Sequence, residues 1–173
     1  GNVYQTKKSA SIQKVLSCLS ERGAEVYVDQ EYYQFLTEDQ KIDVQATKIF
    51  TDDDFEADIV ISMGGDGTFL KAASRVREKM IPILGVNMGR LGFLADVSPG
   101  DIENCMEAIY EENYSVENRA LIQVTSDGEP LEGYNCALND VAILKRDTAS
   151  MISIRACINT SRSEERFSRN AET

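Results

Sequence analysis

Ile59-Val60-Ile61-Ser62-Met63-Gly64-Gly65-Asp66-Gly67-Thr68-Phe69-Leu70 is the stretch that decides the fold of this chain. The apolar run Ile59, Val60, Ile61 leads straight into Met63-Gly64-Gly65-Asp66-Gly67-Thr68, and helix-compatible residues follow from Phe69 to Met80. This order predicts a strand, a glycine-rich turn and a helix start. Glycines in such a turn let the backbone take positive φ and approach a ligand closely, and the free N–H groups of a helix start favour an anion such as phosphate. Asp66 is the unusual member, because a carboxylate in an anion cradle repels its own ligand unless a metal or a proton transfer uses it. The pairing of cradle and acid suggests phosphoryl transfer to a hydroxyl. A plainer reading stays open at this point: a tight strand-to-helix turn in which Asp66 or Thr68 caps the helix. The Walker pattern and the Gly-x-Gly-x-x-Gly dinucleotide pattern are both absent.

Composition narrows the chemistry. The 173 residues allow one domain or two small ones. A formal net charge of −11 and an isoelectric point near 4.5 argue against a nucleic-acid partner, which calls for basic patches, so a phosphate ligand must be held locally. No apolar run approaches the roughly 20 residues that cross a bilayer and no signal-peptide pattern opens the chain, so the expectation is a soluble, cytoplasmic protein without a membrane partner. Cys18, Cys105, Cys136 and Cys157 are widely spaced and no histidine is present, which excludes a zinc site and leaves the cysteines as small apolar residues in a reducing compartment. Without histidine, proton abstraction near neutral pH falls to a carboxylate, Lys, Tyr or Cys, which adds weight to Asp66.

Working outward from the glycine turn, Ile12, Val15, Leu16 and Leu19 repeat at helical spacing after Ser9 or Ser11, with Gly23 as the stop. Ala24 to Val28 then reads as a strand, a helix-then-strand step of the kind that builds a parallel sheet. The polar start at Gly1-Asn2-Val3 is one that a preceding strand would feed, and sequence upstream is expected. Glu31 to Ala46 reads as helix or irregular connection. Asp52-Asp53-Asp54 reads as a solvated loop or cap rather than a metal site, since three consecutive carboxylates point in different directions. After the turn, Phe69, Leu70, Ala73, Val76 and Met80 form an apolar helical stripe, and Lys71, one turn in, either reaches a phosphate or is a solvated lysine. Ile81 to Val86 is the next strand. It feeds a second glycine-punctuated loop, Asn87-Met88-Gly89-Arg90-Leu91-Gly92-Phe93-Leu94, and loops at the carboxyl ends of neighbouring parallel strands form a ligand crevice. Ser98-Pro99-Gly100-Asp101 starts a helix through Met106, Ile109 and Tyr110, with Ser98 as its cap. Ala120 to Thr125, Tyr134 to Leu144 and Ile152 to Ile158 read as strands without helices between them, Asp127-Gly128 marking a turn.

Taken together, Gly64-Gly65-Asp66-Gly67-Thr68, the Asn87 to Leu94 loop and Asn139-Asp140 resemble the NAD kinase family, whose motifs are GGDGT, N-x-G-x-L-G-F and an Asn-Glu pair. GGDGT alone is shared with lipid kinases of the diacylglycerol and sphingosine type, and a close variant occurs in phosphofructokinases; the three in order are specific. The resemblance covers Gly1 to about Thr160. It implies an α/β fold with a Rossmann-like N-terminal domain at 1–97, then a bridging helix and the start of an all-β, NAD-binding domain at 98–160. The activity implied is transfer of a phosphoryl group from ATP, or polyphosphate in some members, to the 2′-hydroxyl of the adenosine ribose of NAD, giving NADP. By the same match Asp66 is the base and Gly64, Gly65, Gly67 and Thr68 surround the nucleotide. Lys71 is a nearby polar contact, Asn87 and Gly89 belong to the second loop, Phe93 packs in the nucleotide pocket, and Asn139 with Asp140 holds NAD. Mg²⁺ or another divalent cation offsets the ATP phosphates, no protein metal ligand is assigned, and a homodimer or homotetramer is implied.

Two departures stand out. After Ile158-Asn159-Thr160 the chain reads SRSEERFSRNAET where the family carries Asp-Gly and Thr-Pro-Thr-Gly-Ser-Thr-Ala-Tyr, a stretch that supplies much of the NAD site. The tail 161–173 therefore reads as disordered or as a remnant, and the chain as incomplete. Asp140 stands for Glu, one methylene shorter. The competing readings are a lipid kinase, which the acidic balance and the second loop oppose, and a nucleotide-binding fragment without turnover.

Overall fold

The computed structural model describes residues 9–89, 92–126, 128–131, 133, 135–143, 153–158 and 161–163. Helix α1, Ser9–Glu21, follows the expected period and buries Ile12, Val15 and Cys18. It ends at Gly23, which takes φ +66° and donates its N–H to Ser20 O at 3.0 Å. Strand β1, Tyr27–Asp29, starts later than the Ala24 to Val28 reading and pairs in parallel with β2, Lys48–Phe50. Nothing in the sequence announced β2, because Lys48 and Ile49 are both exposed and show no alternation. Between them the mixed stretch folds as α2, Gln30–Gln34, and a π-helical turn, Phe35–Asp39. Asp29 caps α2, its Oδ1 accepting the Tyr32 N–H at 3.1 Å. Tyr32, Phe35 and Leu36 face the core, and burial pushes the Tyr32 phenol up to about 12.

Strand β3, Val60–Gly64, pairs in parallel with β4, Ile83–Asn87, from Val60 opposite Ile83 to Gly64 opposite Asn87. Its residues become fully buried towards the glycine end. The strand therefore runs further than the expected turn: Gly64 belongs to the ladder, its carbonyl accepting the Met88 N–H at 2.8 Å, and only Gly65 separates it from α3, Asp66–Val76. Of the expected stripe on α3, Val76 is buried and Met80 is 81% exposed. The helical period breaks after Val76, where Arg77 and Met80 both take positive φ.

Arg75 ties α3 to the β1–β2 pair. Its guanidinium bonds Asp29 Oδ2 at 2.5 Å, Asp53 Oδ1 at 2.9 Å and Asp52 O at 2.9 Å, and it stacks 4.9 Å over the Phe50 ring. Burial pushes the Asp29 carboxyl up, but the Arg75 bond, the Tyr32 N–H and the Arg75 charge outweigh it and hold Asp29 below its ordinary range. The acidic run is thus no plain solvated loop. Asp53 pairs with both Arg75 and Arg77, and Asp52 accepts the Asp54 N–H.

Helix α4, Ile102–Tyr110, begins four residues after Ser98. Ser98 to Asp101 is a closed turn, with the Asp101 N–H on Ser98 O and the Ser98 hydroxyl on Asp101 Oδ2 at 2.6 Å, so no helical bond starts before Asp101 O. Ile102 and Met106 join the same buried cluster as Ile12, Val15, Leu36 and Met63, which places this helix in the body of the α/β core. Contacts divide the chain into two compact units, 1–140 and 141–173. In the first unit, β5, Ile122–Gln123, pairs antiparallel with β8, Cys136–Ala137, and β6, Thr125–Ser126, forms a hairpin with β7, Glu129–Pro130. Gly128 turns the hairpin at φ +86°. The long strands expected here are broken, and Leu121, Ile122 and Leu131 are exposed, so among the described residues no core forms under them. In the second unit β9, Ala156–Ile158, pairs antiparallel with β10, Ser161–Ser163. Ser161–Ser163, at the start of the stretch read as a disordered or remnant tail, uses backbone groups that need no apolar side chain for its ladder; 164–173 lie outside the described residues. Among the described residues no helix is long and apolar enough to cross a membrane.

Leu36 and Ile102 are each 1% exposed. Leu36→Ala is expected to lower the unfolding free energy by about 2–5 kcal/mol, read from chemical denaturation with an unchanged m value.

Candidate nucleotide site

The two glycine loops meet at one carboxylate. Asp66 stands in the first turn of α3, and its Oδ2 accepts the Phe93 N–H at 2.8 Å while Oδ1 accepts those of Leu94 at 2.9 Å and Ala95 at 3.1 Å. The cap position before it, Gly65, has extended backbone and no side-chain bond into the helix. The capping reading of Asp66 and Thr68 is thus overturned: Asp66 directs its carboxylate away from its own helix and onto the second loop. Those three amides, Phe93 first, hold the Asp66 carboxyl below its ordinary range.

Sterics explain the glycines on either side. A Cβ on Gly92 would collide with the Asp66 carboxylate, and one on Gly64 would collide with Thr68 Oγ1. A Cβ on Gly85 would meet Ala95 Cα at 2.7 Å and the Phe69 ring at 2.9 Å. Gly85 therefore lets 94–97 lie along β4, where the Asn87 N–H bonds Val97 O and the Val97 N–H bonds Gly85 O. Gly65 and Gly67 differ, because a Cβ on either meets nothing within 4 Å. They leave open space at the start of α3, where the Thr68 N–H already bonds Gly65 O at 3.0 Å and the earlier N–H groups of the turn are the ones a helix leaves without an intrahelical acceptor.

The remaining expected residues divide. Asn87 is buried, its Oδ1 accepting the Gly89 N–H at 2.8 Å and shaping the start of the second loop. Phe93 is 95% exposed, so its ring packs in no pocket here. Lys71 turns to Glu31, with Nζ to Oε2 3.3 Å and both side chains exposed. Asn139 and Asp140 are exposed just past β8, and no described hydrogen bond ties them to Asp66. Among the described residues no cluster of three metal-ligating side chains occurs. Cys18, Cys105 and Cys136 are free thiols; Cys18 is buried, whereas the other two are only half-buried, and burial followed by the charges of Asp96 and Asp101 raises the Cys105 thiol. Sequence reasoning missed the amides of Leu94 and Ala95, for which no side chain gives a signal. It quoted Gly92 without seeing its role, although a glycine before Phe93 opposite a lone acid was the available clue.

Because Asp66 is lowered, its contribution to loop order is complete above the ordinary carboxylate range and is lost as pH falls through its own, lower pKa. In an NMR titration the Phe93, Leu94 and Ala95 amide shifts should move together with a midpoint below that of an unperturbed aspartate. Gly92→Ala should raise that midpoint towards the ordinary value, and an unmoved midpoint would rule out the steric account.

Residues 2–114 match the model of the ATP-NAD kinase N-terminal domain. NAD kinase of Bacteroides fragilis is 52% identical over 159 residues, covering 92% of this chain and 55% of that protein. NAD kinase of Porphyromonas gingivalis is 37% identical over 159 residues, covering 92% and 54%. The crystal structure of yeast NADH kinase complexed with NADH aligns with a TM-score of 0.56 at 17% identity, covering 75% of this chain and 41% of the yeast chain. The chain thus spans about half the length of the curated relatives it matches. With two thirds of its residues inside the domain match and both glycine loops joined at Asp66, the chain belongs to the ATP-NAD kinase family.

Proposed function

We propose that this protein carries the Asp66 end of an NAD kinase site, which transfers the γ-phosphoryl group of ATP to the 2′-hydroxyl of the adenosine ribose of NAD. The observation that carries the reading is a lone carboxylate, kept ionised by three amides, beside the open space at Gly65 and Gly67. The family assignment supports it, and the yeast relative binds NADH. It lends no support to a lipid kinase or to a fragment without turnover.

In this reading Oδ2, which accepts one amide where Oδ1 accepts two, keeps the capacity to accept the ribose hydroxyl proton. A carboxylate with a lowered pKa is a weak base, so it orients the hydroxyl and receives the proton late, as suits a loose phosphoryl transition state. The ribose O–Pγ bond forms, the bond from Pγ to the bridging oxygen breaks, and ADP departs. Gly64, Gly65, Gly67 and Thr68 shape the space for the phosphates, Asn87 and Gly89 fix the second loop, and Phe93 offers an exposed ring to the nucleotide. Asn139 and Asp140 hold NAD, and Lys71 serves only after leaving Glu31. Among the described residues no ligand cluster would hold a metal, so Mg²⁺ or another divalent cation would come in with the ATP phosphates. A Rossmann-like domain at 1–97, an all-β start at 98–160, a homodimer or homotetramer, and a cytoplasmic location with reduced Cys18, Cys105 and Cys136 complete the reading.

Asp66→Asn keeps size and removes the charge. It should lower kcat for NADP formation by about 10²- to 10⁴-fold with a small change in NAD affinity. Retention of more than about a tenth of the rate would make Asp66 a loop fastener only. Wild-type kcat should show no acid limb from Asp66 until pH falls below the ordinary carboxylate range. Asn139→Ala should weaken NAD binding by about 1–3 kcal/mol, measured by calorimetry.

A further inference from the structure

We infer that Arg75 is a positioning residue for Asp66. Its clamp on Asp29 and Asp53, nine residues along α3, sets the pitch of the helix and so holds the Asp66 carboxylate against the Phe93, Leu94 and Ala95 amides. Apolar packing leaves that task open. Of the eleven residues of α3 only Val76 is buried, while Phe69, Leu70, Ala72 and Ala73 are half-buried. Hydrophobic contact is non-directional, so it seats the helix without fixing its pitch.

The directional contacts are at the far end. Arg75 bonds Asp29 Oδ2, Asp53 Oδ1 and the Asp52 carbonyl and stacks on Phe50, so its planar fork is fixed from several sides. Its neighbours tighten the same grip. Arg77 pairs with Asp53 Oδ2 at 2.9 Å, and the Lys79 ammonium donates to the Asp53 carbonyl while lying over the Phe55 ring. Three cations of the 75–79 segment thus converge on Asp53. Arg77 does so at φ +53° and ψ −124°, a backbone state that a non-glycine residue keeps only where its surroundings over-determine it.

The helix turns that grip into a lever. Arg75 and Asp66 lie about 13 Å apart along the axis, so a tilt of about 5° displaces one end against the other by about 1 Å. Such a shift takes the three amide bonds, at 2.8, 2.9 and 3.1 Å, past the roughly 3.2 Å reach of a sound N–H···O contact. At a reacting centre, a misplacement of about 1 Å is worth about a hundredfold in rate. That catalytic consequence rests on the phosphoryl-transfer reading proposed above; the placement of the carboxylate does not. The groups that lower the Asp66 pKa are the same three amides, so its titration midpoint reports how closely they approach.

The test compares Arg75→Lys, which keeps the charge and loses the fork, with Asp53→Ala, which keeps the fork and removes one of its carboxylates. Leu36→Ala is the control, destabilised in the core instead. In Arg75→Lys the NMR midpoint of the Phe93, Leu94 and Ala95 amides should rise by about 0.5 pH unit or more, and in Leu36→Ala it should keep its wild-type value. An unmoved midpoint in Arg75→Lys, or an equal rise in Leu36→Ala, overturns the inference. If Arg75→Lys does not fold, Asp53→Ala is judged by the same two criteria. In steady-state kinetics Arg75→Lys should lower kcat by about tenfold or more, with KM for NAD within about twofold of wild type. An unchanged kcat overturns the catalytic consequence. Should the wild type form no NADP, the phosphoryl-transfer reading fails while the midpoint still decides what Arg75 does.

Discussion

A single carboxylate accepting three consecutive backbone N–H groups is the constraint on which the rest of the site depends. Asp66 and the 93–95 amides are 27–29 residues apart in sequence, and each satisfies what the other lacks. Loop amides away from any strand need acceptors, and an anion at a helix start needs donors beyond those of the helix end. The bond fixes the second loop to the first at a set height above β3 and β4. Gly92 and Gly85 follow from it, since both stand where that close approach leaves no room for a Cβ.

Helix α3 is consequently held at both ends. Its first residue is fastened to the second loop, and nine residues on, in its last turn, Arg75 fastens it to Asp29 and Asp53. Arg75 is only 19% exposed, and its planar fork serves two carboxylates, a carbonyl and the Phe50 ring, which a lysine would not reproduce. Asp29 also caps α2, so one aspartate carries both the start of α2 and the anchor of α3. The chain from β1 to β4 is thereby coupled through a few polar contacts even where its two strand pairs do not touch through a ladder.

What the sequence disclosed was periodic or punctuated. The α1 stripe, the strand into Gly64, the glycine loops and the parallel arrangement could all be read from spacing, because burial on one face imposes a period and turns select glycine. β2 escaped because its side chains are exposed, and the end of the α3 stripe escaped because positive φ at Arg77 and Met80 leaves no residue-type signal. At the site, Asp66 stood out as an acid among glycines, but its partners are backbone groups and invisible to side-chain reasoning. Lys71 shows the opposite error: a cation one turn into a helix looks like a phosphate contact until Glu31, 40 residues away, is found to engage it.

The proposed phosphoryl transfer would bring a polyphosphate to a strongly acidic chain. With a formal charge of −11, cations near α3 ought to be decisive, yet Lys71 is engaged by Glu31, Arg75 by Asp29 and Asp53, and Arg77 by Asp53. Each is offset by the protein's own carboxylates before a ligand arrives. Recruiting Lys71 is the least demanding exchange, since an ion pair between two exposed side chains is worth only about 0–1 kcal/mol. Recruiting Arg75 would release two acids and unseat α3. In the proposed reaction, the charge balance of a bound nucleotide would therefore rest on backbone N–H groups at the α3 start and on a cation arriving with the phosphates. Asp66 stays ionised, but the three amide dipoles aimed at it offset part of its field, so it adds less repulsion there than a carboxylate without them.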